Sequence, residues 1–213
     1  LKQLKENLSG VWGSMDLDTI KKEFELRLEE LRKQILEASI HFNIWQDLWP
    51  TEEKVEVINR FKGFFQPARI AHRDRFIILM SNIFSTKNKA PSFYNIFRML
   101  KNERQIIQGL DIKSLSKRLK QHRKTKEAII AFRNEVAAHH EVEWPSTEIP
   151  ERKPVLFGET KIMLLDIQEM YNEISSLYSR NLWSFTPLEH QHTNNLLVEL
   201  DNMKKIRQIL RRP

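Results

Sequence analysis

Cysteine does not occur among the 213 residues. Its absence removes disulfides, thiolate nucleophiles and thiolate metal sites, and fits a chain that never relied on oxidative crosslinking. Glycine is scarce, at five residues; these are scattered, and none begins a phosphate-binding loop. A Ser-centred nucleophile elbow is missing too. No apolar run approaches the ~20 residues that a bilayer span requires, and no charged, hydrophobic, small-residue leader is evident, so a cytoplasmic protein is expected. Strand-like alternation persists nowhere, which points away from sheets.

Charge is what the chain has in quantity. Charged residues make up 30% of it, hydrophobic residues 40%, and the formal net charge is +7. That is enough apolar side chain for one substantial core. The positive balance favours an anionic partner, and on charge alone RNA, DNA and an acidic membrane all qualify.

The apolar positions recur at intervals of three and four. Leu1, Leu4 and Leu8 begin such a pattern, but Ser9-Gly10 and Gly13-Ser14 interrupt it. Gly13-Ser14-Met15 resembles a cloning scar before an initiator methionine, so residues 1–15 are expected to be a tag-derived or detachable arm and 16–213 a single helical domain. From Asp18, an expected N-cap, Ile20, Phe24, Leu28, Leu31, Ile35, Ala38, Phe42, Trp45 and Trp49 trace a long amphipathic helix. A second run carries Val55, Ile58, Phe61 and Phe65 before Pro67, where a kink or break is expected, and continues through Ile70, Ile77 and Met80. Pro91-Ser92 opens a shorter helix that Gly109 is expected to close. Residues 141–154 read as a proline-stiffened loop, the stretch from Met163 to Leu177 as another core helix, and Thr186 onward as a C-terminal helical extension. The expected architecture is an all-α bundle of five to six helices, several of them long and one kinked near Pro67.

Two stretches carry chemistry. Lys117, Arg118, Lys120, Arg123, Lys124 and Lys126 put six cations into ten residues, and no acid stands between Asp111 and Glu127. Solvated helices usually intersperse acids, so this tract is a candidate polyanion contact and the expected RNA-binding surface, with a plain solvated face as the alternative. The same helix is expected to run on into Phe132-Arg133-Asn134-Glu135-Val136-Ala137-Ala138-His139-His140. There a permanent cation, an amide and two imidazoles fall within nine residues, a set suited to phosphodiester chemistry. At 100° per residue Arg133 and His139 lie about 120° apart around a helix, but Arg133 and His140 only about 20°. Either the helix continues and His140 shares the arginine's face, or it loosens near Ala137 and Ala138 and delivers His139. Arg73 or Arg75, in the cluster Ala71-His72-Arg73-Asp74-Arg75, either supplements a phosphate site or forms a surface face with Arg-Asp pairing. Metal chemistry has little support, because His139 and His140 are adjacent rather than one turn apart and His190 with His192 lacks an acidic partner.

An arginine, a polar residue and a histidine five to seven positions after the arginine resemble the signature of the HEPN superfamily of small helical proteins. Arg133-Asn134 followed by His139 fits, and so does His140. The upstream segment Phe64-Phe65 through Arg73-Asp74-Arg75-Phe76-Ile77-Ile78-Leu79-Met80-Ser81 is similar to the AbiU abortive-infection branch, and the resemblance covers roughly residues 20 to 180. It implies a metal-independent endoribonuclease of toxin or phage-defence type, with no cofactor. In such proteins two Arg-Asn and His motifs face each other across a two-fold axis. Arg133, Asn134 and His139 are then the catalytic positions, with His140 as an extra histidine. The implied partners are RNA, a second copy of the chain and an antitoxin or other protein, with no membrane. Many HEPN-like domains are instead noncatalytic binding or dimerisation modules, and that alternative stays open.

Overall fold

In the computed structural model, residues 16–88, 90–139, 157–186 and 189–210 are described, the side chains of 135–139, 189–190 and 207–210 excepted. The N-terminal arm, the loop expected over 141–154 and His140 lie outside the described residues.

Helix α1 (Leu17–Asp47) is the longest element, about 46 Å at 1.5 Å per residue. Asp16 caps it, accepting from the backbone amide of Thr19 at 2.9 Å and from its hydroxyl at 2.7 Å. The cap therefore stands two residues before the expected Asp18, which lies inside the first turn, where a negative charge suits the helix dipole. Ile20, Phe24, Leu28, Leu31, Ile35, Ala38, Phe42 and Trp45 are all buried. One stripe of side chains runs the length of the helix and holds α3, α4, α7 and α8 around it.

After α1 come α2 (Val55–Arg60), α3 (Lys62–Ile83), α4 (Phe93–Asn102), α5 (Ile112–Gln121), α6 (Arg123–His139), α7 (Phe157–Ser179) and α8 (Glu189–Leu210). The described residues thus form eight helices and no strand, where five to six helices are expected from the sequence. Two breaks account for the difference. The second run divides at Phe61, whose backbone leaves the helical region at φ −113° and ψ 36°, while α3 continues through Pro67. Proline there lies just beyond the first helical turn, so it costs one intrahelical bond near an end rather than in mid-helix. The basic run divides at His122, whose ψ of 15° closes α5 before α6 begins.

Helix α4 ends at Asn102 rather than at Gly109. The glycine sits in the connection to α5 with φ +81°, a left-handed conformation that a side chain disfavours. Ser92 caps α4, and its hydroxyl donates to the Ser85 carbonyl at 2.6 Å. Asn95, 2% exposed, donates from Nδ2 to the carbonyls of Lys87 and Ala90. These bonds satisfy buried backbone acceptors and fix the turn that aims α4.

The main core gathers α1, α3, α4, α5, α6 and α7. At one end Phe42, Trp45, Phe76 and Phe157 form an aromatic cluster, with Phe42 at 5.2 Å from Phe76 and Trp45 at 4.7 Å from Phe157 between ring centroids. Such pairs add to area burial. A polar tie across this core runs from Gln168 Nε2 on α7 to Ser39 Oγ on α1, at 2.8 Å. A smaller core of Leu48, Val57, Ile58, Phe65 and Leu197 seats α8 against α2 and the C-terminal end of α1, where Lys204 also pairs with Glu56.

Phe76 is fully buried and packs against Phe42 and Trp45 of α1. Phe76→Ala is therefore expected to cost about 3–5 kcal/mol of unfolding free energy, read as a lower urea midpoint at constant m-value.

Candidate functional site

Helix α6 packs along α3. Lys126, near its start, meets Tyr94 on α4, and Phe132, farther along, meets Arg73 on α3. Leu115, Leu119 and Ile129 anchor α5 and α6 in the core. The opposite sides of these helices carry the basic residues.

Arg133 is half-buried on this helix pair. Its Nε and Nη2 both donate to Asn134 Oδ1, at 3.2 and 2.7 Å, and Nη1 stands 3.5 Å from Ser81 Oγ, a long contact. The guanidinium is thus oriented by neutral acceptors. Among the described residues no carboxylate lies within ion-pair distance of it, which leaves its charge for an anion. The neighbouring arginines behave differently. Arg73 places its guanidinium 4.8 Å from the Phe132 ring centre and pairs with Asp74 at 2.9 Å. Arg75 reaches Glu37 at 2.6 Å. Arg73 is therefore the member of that cluster that comes near the Arg133 turn, already partly neutralised, whereas Arg75 ties α3 to α1.

The backbone of α6 stays helical through Ala137 and Ala138 to His139. Of the two arrangements open in the sequence, loosening at the alanines is not what this backbone does. His139 consequently takes a position about 120° around the axis from Arg133, and a single helix does not bring the two onto one face. The side chain of His139 and the whole of His140 lie outside the described residues.

The six cations of the basic tract meet different fates once His122 divides it. Arg118 turns inward to α7, donating from Nε to Asp166 Oδ1 at 2.8 Å, from Nη2 to Glu169 at 3.0 Å and from Nη1 to Glu173 at 3.2 Å. His122 Nε2 reaches the second oxygen of Asp166 at 2.8 Å. Lys126 donates to the Tyr94 hydroxyl at 3.0 Å and lies 5.4 Å from its ring centre, a cation-π distance. Arg123 stands 3.9 Å from Glu127. Lys117, Lys120 and Lys124 are exposed, and none has a carboxylate partner among the described residues. The acids that balance Arg118 come from α7, some fifty residues downstream; a window confined to the basic tract does not contain them.

A second histidine pair, unremarked in the sequence, bridges α1 and α3. His41 Nδ1 and His72 Nδ1 are 2.8 Å apart, so one ring donates and the other accepts, and a single proton is shared. Glu37 faces the other side of His41 at 3.9 Å from Nε2, with Arg75 held on Glu37. Burial holds both imidazoles below their ordinary value of 6.5; at His41 the charges of His72 and Arg75 add to the lowering, and the Glu37 carboxylate opposes it. Among the described residues no three His, Asp or Glu side chains gather as a metal ion would need.

The family model HEPN_AbiU2, described as AbiU2, matches residues 21–197, a span that includes α1 to α7, the basic tract and the Arg133 turn. No curated protein matches the chain, and no solved structure does.

Arg118→Gln should lower stability by about 2 kcal/mol, because three carboxylates lose their cation, and should leave RNA affinity close to that of the parent chain. Lys117→Gln/Lys124→Gln should do the reverse, and chemical denaturation beside filter binding separates the two. The His41–His72 pair makes stability depend on pH. The depressed folded values mean that stability is complete above about 6.5 and is lost as pH falls through them, when both rings must be protonated. Melting temperature should fall from about pH 7 to about pH 5, and should fall less in His41→Asn/His72→Asn.

Proposed function

Because the chain belongs to the AbiU2 family of HEPN proteins, we propose that it is a metal-independent endoribonuclease of the toxin or phage-defence type, with a composite site formed by two copies of the chain. The observation that carries this reading is the state of Arg133: a guanidinium held in a fixed plane by Asn134 yet unpaired with any described carboxylate. A phosphodiester is the group that such a cation suits, since two N–H donors can face the non-bridging oxygens while charge builds on phosphorus.

The chemistry asks little else of the protein. RNA brings its own nucleophile. A histidine takes the proton of the 2′-hydroxyl, O2′ attacks phosphorus, the P–O5′ bond breaks, and the departing O5′ takes a proton from a second acid. The products are a 2′,3′-cyclic phosphate and a free 5′-hydroxyl. His139 is the first choice for the proton-transfer group, Arg133 for the phosphate and Asn134 for holding Arg133; His140 is the alternative histidine. The angle between Arg133 and His139 on α6 favours supply of the two groups by different subunits, which is how HEPN ribonucleases are typically arranged. The exposed lysines of α5 and α6 would hold the strand alongside.

The same angle supports a second reading. If no partner subunit supplies the missing group, the chain binds RNA through Lys117, Lys120 and Lys124 and cuts nothing, as a noncatalytic module.

The decisive test incubates labelled mixed-sequence RNA with the protein in excess chelator, beside Arg133→Ala, His139→Ala and His140→Ala. Cleavage ending in a 2′,3′-cyclic phosphate is expected, reduced about 10²–10³-fold in Arg133→Ala and about 10²–10⁴-fold in His139→Ala. Loss in His140→Ala alone would shift the proton-transfer role by one residue. RNA that is bound with steep salt dependence but never cut would establish the binding module instead.

A further inference from the structure

Away from the Arg133 turn, α4 and α5 enclose a cleft of about 340 Å³, near the lower end of the range for small-ligand sites. Phe97 and Leu119, both buried, form its floor, and half-buried Tyr94 contributes an aromatic wall. Arg98, Lys101 and Lys120 line it with Asn102 and Ser116, and no acidic residue contributes. Arg98 repeats the device seen at Arg133. Its Nη1 donates to Asn88 Oδ1 at 2.7 Å and its Nη2 stands 3.3 Å from the Asn88 carbonyl, both neutral acceptors. Among the described residues no carboxylate pairs with Arg98, Lys101 or Lys120.

We propose that this cleft holds one nucleotide of a single-stranded RNA, with the base against Tyr94 and the phosphate among Arg98, Lys101 and Lys120. The proposal rests on the RNA reading of the preceding section and names where the strand is gripped. Three uncompensated cations call for an anion. The aromatic wall and apolar floor call for a flat, partly apolar body attached to it, and a nucleotide joins both in one unit. Stacking on an aromatic side chain beside a basic track is the usual way of holding a single strand; an acidic peptide would satisfy the cations and leave the aromatic wall without a matching group.

The position relative to Arg133 adds to this. Lys126, which touches Tyr94, and Arg133 are seven residues apart on α6, about 20° short of two full turns and about 10 Å along the axis. The edge of the cleft and the candidate cleavage turn therefore lie on one line of one helix, separated by roughly three stacked nucleotides at ~3.4 Å each. A strand seated in the cleft would run along α6 and present a downstream phosphate to Arg133.

The test uses the full chain and a fluorescein-labelled, 2′-O-methylated single strand of about twelve nucleotides, which cannot be cut, with anisotropy measured over a range of salt. Lys101→Glu/Lys120→Glu should weaken binding about tenfold or more and reduce the slope of log K against log salt by about 1.4, two phosphate contacts' worth for a single strand. Tyr94→Leu should weaken binding about tenfold with the slope intact, and Tyr94→Phe should bind nearly as the parent does. Lys62→Glu/Lys205→Glu makes the same charge change at the α8 end of the molecule. If that pair weakens binding as much as the cleft pair does, the strand senses net charge only; the cleft assignment is overturned while the RNA reading stands. If Tyr94→Leu binds like the parent, no base sits in the cleft and the nucleotide assignment falls. If the parent chain does not bind the strand at all, the RNA reading itself is overturned, and the cleft assignment with it.

Discussion

The apolar stripe of α1, from Ile20 to Trp45, is buried against four other helices, and every functional element described above hangs from it at one remove. α3 packs along it and carries α6; α4 packs near its N-terminal end and carries α5; α7 packs across it and supplies the acids that meet Arg118. The driving force is ordinary, roughly 1.5–3 kcal/mol for each large side chain removed from water. What matters for function is its direction. The central helix sets the spacing between two helix pairs that carry basic residues outward, across a core whose buried polar side chains, Ser39, Ser81, Asn95, Thr125, Thr160 and Ser175 among them, are small.

Two kinds of arginine contact stand out. Arg27, Arg32, Arg75 and Arg118 each end on a carboxylate, and they act as ties within or between helices. Arg98 and Arg133 end on asparagine. An asparagine positions a guanidinium without discharging it, so the cation is both ordered and available, and less side-chain entropy remains to be lost when an anion arrives. Among exposed cations such preorganisation is more telling than number alone. The lysines of α5 and α6 supply field strength; the two asparagine-held arginines supply geometry.

Much of this was legible in the sequence. The spacing from Ile20 to Trp45 gives α1 its whole buried face, and the absence of alternation gives the fold class. The Arg133-Asn134 motif, with the apolar segment upstream, pointed to the family. The boundaries were harder, for physical reasons. Proline at 67 is a strong local signal, yet near a helix start its missing amide removes little, whereas Phe61 and His122 interrupt helices without any proline or glycine to announce it. Long-range pairing was harder still. The partners of Arg118 are about fifty residues away, and His41 meets His72 only because α1 and α3 lie side by side. Tyr94, Arg98 and Lys101 line a cleft only because α5 supplies its opposite wall.

The break at His122 has a mechanical consequence. Asp166 receives Arg118 from α5 on one oxygen and His122, the corner residue itself, on the other, so a single carboxylate on α7 latches the joint between α5 and α6. The helix that carries Arg133 and the helix that walls the α4–α5 cleft are therefore fastened to the same rivet. A shift of α7 along its axis would therefore move the α5–α6 corner with it as one unit.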